Sequence, residues 1–186
     1  MTASRRHFLA LLAGALASPA LAEESASRPT AYAFSFKRLA GGDIALSAYA
    51  GKPVLMVNVA SLCGYTPQYT GLQGLWTRYR DRGLMIVGVP SNDFFQEPGG
   101  ASEIEATAHH YKVDFPLTEK TSVKGAGAHP FYRWAALEKP LDPVRWNFHK
   151  YLVGRDGHIA AAFATSVEPL DARVIAAIGK ELGKEV

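Results

Sequence analysis

Apolar and polar positions alternate along the chain so that, from Ala31 onward, it divides into short segments of two kinds. Apolar or alternating runs bounded by turn residues read as strands, and apolar positions recurring every three or four residues read as helices. "YAFSFKRL" and "DIALSAY" flank Gly41-Gly42 and predict an N-terminal β-hairpin. "VLMVNVAS" (54–61) is a continuous apolar, β-branched run, the pattern of a strand buried on both faces. Thr66 and Pro67 then supply a helix cap and a first-turn proline, and Leu72, Leu75, Trp76 and Tyr79 fall on one face. The result is a predicted helix of about four turns ending near Gly83. "LMIVGVP" (84–90) predicts a second buried strand, so that strand, helix and strand form a right-handed parallel unit. Beyond it, "ASEIEATAHHYK" predicts a helix, "DFPLTE" is a candidate short strand, and "HPFYRWAALE" predicts another helix. "KYLVGRDGHIAAAFA" predicts a hairpin turning at Asp156-Gly157, and "PLDARVIAAIGKEL" a closing helix. No repeat or linker interrupts this order, so residues 31–186 form one α/β domain. With 186 residues, 48% of them hydrophobic, the chain can bury a sizeable core.

The first 22 residues, "MTASRRHFLALLAGALASPALA", follow another logic: a short basic start, an apolar stretch and a small-residue end at Ala20-Leu21-Ala22. This is the layout of a cleaved secretory signal. Arg5-Arg6, followed by Phe8 and Leu9, resembles the twin-arginine export signal, which implies export in a folded state to the periplasm of a bacterium. Gly14 and Pro19 break the apolar stretch, which is shorter than the roughly 20 residues needed to span a bilayer, so no stable membrane anchor is expected. Residues 23–30 then form a flexible lead-in. Removing the signal changes the charge picture. The net charge of +3 falls to +1, because Arg5 and Arg6 leave and no acid does. No basic run with interleaved aromatics remains, so there is no electrostatic footprint for nucleic acid.

The chain has one cysteine, Cys63, in "VNVASLCGYTPQYTGL". An oxidising compartment pairs structural cysteines, and a single thiol has no partner within the chain. Cys63 lies between the carboxyl end of a buried strand and the amino end of the next helix, where open α/β sheets place their chemistry. Unpaired N–H groups and the positive end of the helix dipole both favour a thiolate there. The alternative is a small buried apolar residue, the commonest fate of a free cysteine. Threonine at position 66 removes the dithiol that thioredoxin-type oxidoreductases carry at that spacing. Attack on a peroxide O–O bond needs only one thiolate and leaves a sulfenic acid.

"VNVASLCGYTPQYTGLQGLWTRYRDRGLMIVGVPSNDFFQEPGG", together with "WNFHKYLVGRDG" (146–157), resembles the glutathione peroxidase family in its cysteine form, from about residue 32 to the C-terminus. The resemblance implies a thioredoxin-like fold, with a central mixed β-sheet flanked by helices. It also implies thiol-dependent reduction of hydrogen peroxide or organic hydroperoxides. Its active-site set falls on Cys63 as peroxidatic nucleophile, with Gln96, Trp146 and Asn147. The amides of Gln96 and Asn147 and the indole N–H of Trp146 are neutral donors able to hold a thiolate and a peroxide oxygen. No cofactor or metal is implied; His109-His110 reads as exposed helix surface and the aromatic face around Trp76 and Tyr79 as core.

Departures from the family narrow the mechanism. Ala108 and Ser91 stand where many relatives carry further cysteines, so Cys63 would be regenerated by an external thiol, glutathione or a thioredoxin-like protein. Asp93 replaces a glutamine, and Phe94-Phe95 crowds a glycine-rich region, which points to altered substrate preference. His149 is a candidate for proton transfer near the thiolate. The segment between "FYRWAALEK" and "VRWNF" is short, which favours a monomer. Two other classes compete with the peroxidase: a thiol–disulfide exchange protein, disfavoured by Thr66, and a non-catalytic redox-sensing or binding member of the same fold.

Overall fold

The computed structural model describes residues 28–183. The signal reading of residues 1–22 and all of the lead-in before residue 28 lie outside the described residues. The predicted elements fold as follows: β1 (Ser35–Lys37) and β2 (Asp43–Ala45), then β3 (Val54–Val59), α1 (Gln68–Tyr79) and β4 (Met85–Pro90). There follow α2 (Ala101–His110), α3 (Pro130–Glu138), β5 (Lys150–Val153), β6 (Ile159–Phe163) and α4 (Ala172–Glu181). β1 and β2 form the expected antiparallel hairpin across Gly41-Gly42, both at positive φ. The main sheet has the order β4-β3-β5-β6, with β3 parallel to β4 and antiparallel to β5, and β5 antiparallel to β6. It is the mixed sheet that the sequence predicts.

All six residues of β3 are buried, and alternation of side chains sends them to two separate cores. Leu55, Val57 and Val59 join Leu72, Leu75 and Tyr79 of α1 and Val174 and Ile178 of α4. Val54 and Met56 join Phe131, Trp134 and Ala135 of α3, with Phe36 and Ile44 of the hairpin. Helices therefore cover both faces, which is why the strand reads as continuously apolar. α1 ends through a 3-10 turn at Arg80–Arg82 and stops at Gly83, whose φ of 106° suits glycine. Asp171 caps α4 by accepting from the Arg173 N–H.

One predicted strand is absent. "DFPLTE" makes only isolated bridges, Gly88 with Leu117 and Arg38 with Thr118. It lies along β4, with Gly88 donating to the Pro116 carbonyl at 3.0 Å, and it ties the hairpin to the sheet through Leu39 N–H to Leu117 O at 2.9 Å. Alternate bonding to two different neighbours satisfies the backbone without building a ladder. Gly88 makes this close approach possible, since a Cβ there would collide with Leu117 and press on Phe115. Gly88→Ala should lower stability by about 1–3 kcal/mol through overpacking; an unchanged urea midpoint would refute this packing role.

Candidate active site

The loop after β3 is shaped by Thr66. Its Oγ1 accepts from the Cys63 N–H at 3.1 Å, and the hydroxyl lies 2.7 Å from the Cys63 carbonyl and 2.8 Å from the Ala60 carbonyl. Thr66 is thus no helix cap: its side chain turns back into the loop, and α1 begins at Gln68 with no side-chain cap. The cap expected at Thr66 fails because a three-way tie to the preceding backbone outcompetes the forward bond. The loop it fixes holds Cys63 buried at 6% exposure. Among the described residues the hydrogen-bond donor to Cys63 Sγ is the Tyr65 N–H, at 3.4 Å. The thiol lines a cavity of about 580 Å³ whose far side is α2, with Thr107, His110 and Tyr111.

Gln96 and Asn147 come from loops 51 residues apart and meet directly, Asn147 Nδ2 donating to Gln96 Oε1 at 2.9 Å. The Gln96 N–H₂ keeps its own two donor hydrogens. The Gln96 backbone carbonyl accepts from the Leu62 N–H at 3.0 Å, which joins this pair to the residue before Cys63. Trp146 is 40% exposed, lies 5.2 Å from Phe94 between ring centroids, and lines a second cavity of about 320 Å³ with Tyr65, Leu141, Arg145 and His149. The structure therefore brings Gln96 and Asn147 into contact and ties them to the Cys63 loop through backbone. No hydrogen bond joins Cys63 Sγ to Gln96, Trp146 or Asn147; the Tyr65 N–H is on the sulfur, and Tyr65 is also among the residues that line the Trp146 cavity.

Several contributing residues escape a reading by motif. Asn58, fully buried near the end of β3, donates from Nδ2 to the Trp146 carbonyl at 3.0 Å, and its own carbonyl accepts from the Phe148 N–H at 2.6 Å. Glu97, 1% exposed, accepts from the Ser61 N–H at 2.7 Å and the Ser61 hydroxyl at 2.9 Å, while its Oε1 is buried without a partner. Burial holds its carboxyl above the ordinary range, against the Ser61 bonds and the Lys120 charge. Lys120 braces the same loop, donating to the Gly99 carbonyl at 2.7 Å. The only sequence signal for Asn58 was a lone amide in an apolar run, and Glu97 was hidden in a loop.

The structure gives Asp93 and Phe94 packing or hydrogen-bond partners. Asp93 accepts from the Val123 N–H at 2.6 Å, the Lys124 N–H at 3.0 Å and the Ser122 hydroxyl, so it anchors the loop before α3. Phe94 packs on Trp146, but Phe95 is 89% exposed at φ 59° and points away from any crowding of the site. His109 and His110 are exposed, Trp76 is partly buried and Tyr79 is fully buried.

A family model described as glutathione peroxidase matches residues 31–136. Hydroperoxy fatty acid reductase Gpx2 of Synechocystis sp. is 46% identical over 151 residues, covering 80% of this chain and 97% of that protein. A glutathione peroxidase of Lactococcus lactis is 41% identical over 143 residues, covering 74% and 91%. Among solved structures, Trgpx in its apo form superimposes with a TM-score of 0.68 at 32% identity, covering 85% of this chain and 99% of that one. A disulfide isomerase candidate from Bacteroides thetaiotaomicron, at 19% identity and a TM-score of 0.61 over 81% and 86%, shares the thioredoxin-like fold alone.

His149 sits 4% exposed beside Tyr151, with Nε2 buried and unpartnered. Burial, aided by the Lys150 charge and opposed by Asp142, lowers its pKa to about 4, so it is neutral near pH 7 and a poor proton donor there. With the folded value below the unfolded one, its stabilising contribution is complete above about pH 6.5 and lost as pH falls through about 4. His149→Phe should therefore lose less stability than the parent across that window, by on the order of 2 kcal/mol; parallel urea curves for the two proteins would contradict a buried neutral imidazole.

Proposed function

Because the chain belongs to the glutathione peroxidase family, we propose that it is a thiol-dependent peroxidase acting through Cys63 on hydrogen peroxide or organic hydroperoxides. The observation that supports this most is the Asn147–Gln96 hydrogen bond held against the Cys63 loop, since it fixes two carboxamides as neutral donors for an incoming anion or peroxide oxygen. The Cys63 thiolate attacks one peroxide oxygen; the S–O bond forms, the O–O bond breaks, and the leaving oxygen departs as water or an alcohol after taking a proton. Neutral donors are suited to this step because negative charge moves from sulfur to the leaving oxygen, and removing one such donor costs roughly 100- to 1,000-fold in rate.

The resulting sulfenic acid has no second cysteine in the chain to meet. An external thiol therefore attacks the oxidised sulfur and releases water, and a second thiol attacks the mixed disulfide, releasing a disulfide and the Cys63 thiol. The cavity on the α2 side gives the buried sulfur room for a small thiol such as glutathione. In this reading the Trp146 cavity, lined by Leu141, Tyr65 and Arg145 but not by Cys63, receives only the organic tail of a hydroperoxide whose O–O bond lies at the thiol. The relative named a hydroperoxy fatty acid reductase points the same way. Thr66 leaves thiol–disulfide exchange by an internal dithiol without its second sulfur.

One equivalent of hydrogen peroxide should add one oxygen to Cys63 by intact mass, and stopped-flow peroxide consumption should vanish in Cys63→Ser. A Cys63 that stays unmodified would end the proposal. We extend the same reading to residues 1–22 as a twin-arginine signal delivering the enzyme to the periplasm. Replacing Arg5 and Arg6 together by lysine should then leave the unprocessed chain in the cytoplasm; normal processing and export of that variant would contradict the route.

A further inference from the structure

Lys150 opens β5, paired with Val57 of β3 and Phe163 of β6, and is fully buried. A buried ammonium costs several kcal/mol unless its donors are all used. Here they are: Nζ donates to Gln68 Oε1, to the Phe148 carbonyl and to the Val167 carbonyl, each at 2.7 Å. These acceptors belong to three segments. Gln68 is the first residue of α1, behind the Cys63 loop; Phe148 follows Asn147; Val167 lies between β6 and α4. Three acceptors converging on one point call for a group with three donors and no acceptor, which among side chains is the lysine ammonium.

The tie extends into a closed ring. Gln68 Nε2 donates to the Thr165 carbonyl at 2.8 Å, and Thr165 Oγ1 donates to the Asn147 carbonyl at 2.7 Å. Phe148 itself sits at φ 62°, a left-handed conformation costing on the order of 1–3 kcal/mol for such a residue unless its surroundings fix it. Asn58 holds its N–H and Lys150 holds its carbonyl. That backbone reversal sets the direction in which Trp146 and Asn147 leave the sheet.

We propose that Lys150 is a positioning residue, whose ammonium fixes Trp146 and Asn147 relative to the helix behind Cys63 by clamping the Phe148 carbonyl to Gln68 and Val167. The proposal rests on the reading of Gln96, Trp146 and Asn147 as the donors of the site. Burial lowers the Lys150 pKa to about 8, opposed by Glu168. Its other titratable neighbour is His149, neutral in that range, while α1, β3 and β6 present Gln68, Val57 and Phe163. Deprotonation would leave two N–H groups for three acceptors.

The test uses the folded chain in a Cys63→Ser background, which removes the thiol's own titration. The Phe148 carbonyl carbon and the Asn147 carboxamide carbon should shift together between about pH 7 and 9, and Lys150→Arg should abolish the transition, because guanidinium stays charged. With Cys63 present, Lys150→Met should oxidise about 10- to 100-fold more slowly with hydrogen peroxide, the scale expected when a reacting group is misplaced by about 1 Å. Lys150→Arg should recover much of that loss and keep its rate at high pH. A full oxidation rate in folded Lys150→Met would overturn the positioning role; should that variant fail to fold, Phe148 and Asn147 carbons that sit where they do in the parent when Lys150 is replaced by Arg would overturn it instead. Titrating carbons with a full oxidation rate in Asn147→Ala would instead overturn the donor reading on which the role rests.

Discussion

A strand buried on both faces cannot end inside a protein without passing its last polar groups to new partners, because water is not there to receive them. β3 is such a strand, and its carboxyl end solves the problem by gathering three loops. The Asn58 carbonyl takes the Phe148 N–H, the Asn58 amide takes the Trp146 carbonyl, and the Val59 carbonyl takes the Ser91 N–H at 3.0 Å. Two residues on, the Ser61 N–H goes to Glu97, and the Leu62 N–H goes to Gln96. Every segment that carries a candidate active-site residue is therefore recruited by the backbone of β3 and its continuation. The site is assembled by the same bonds that let the core strand stop.

This accounts for where the structure keeps its buried ionisable groups. Glu97 and Lys150 serve opposite sides of the same strand end, the carboxyl accepting from the Ser61 backbone and hydroxyl and the ammonium donating to carbonyls behind Phe148. An acceptor answers the surplus of N–H groups in the Cys63 loop, and a donor answers the surplus of carbonyls around the Trp146–Phe148 segment. An apolar residue at either position would leave two or more polar groups unpaired, backbone and side chain together, and an unpaired buried group costs about 1–3 kcal/mol. The chain thus tolerates two perturbed ionisable groups because the alternative is several orphaned amides.

How much of this could be read in the sequence follows from the range of each interaction. β3, β4, the two hairpins and the helices were legible because their signals are local: alternation, β-branching, turn glycines, and apolar positions three and four apart. "DFPLTE" was not, since its bonds go singly to β1–β2 and β4 and no ladder of its own exists to leave a period. Thr66 carried the right residue type for a cap, yet its hydroxyl is captured by Ala60 and Cys63, a choice made by the fold of the loop. Cys63, Gln96, Trp146 and Asn147 were legible through motif resemblance. Their mutual arrangement was not, because the Asn147–Gln96 bond joins loops that only the sheet order brings together. Asn58, Glu97 and Lys150 appear in the sequence as single polar residues in apolar or loop surroundings, a pattern that does not distinguish a buried tie from a solvated side chain.

The single thiol can be understood in the same physical frame. A second, resolving cysteine must travel to the first, so the segment bearing it has to unfold or swing, and that requires weak packing. Ala108, where the family resemblance leads one to expect such a cysteine, instead packs against the core cluster that includes Cys63, Tyr69 and Ile104, and Ser91 is fully buried with its N–H bound to β3. Ser91 is thus locked in the core, whereas α2 rests on the core through the single buried side chain of Ile104. Releasing α2 would expose Ile104 and break the contact of Tyr111 with Tyr69, whose rings lie 5.7 Å apart. In the proposed cycle the reducing thiol comes from solution, and the cavity between the Cys63 loop and α2 is where it would reach the sulfur.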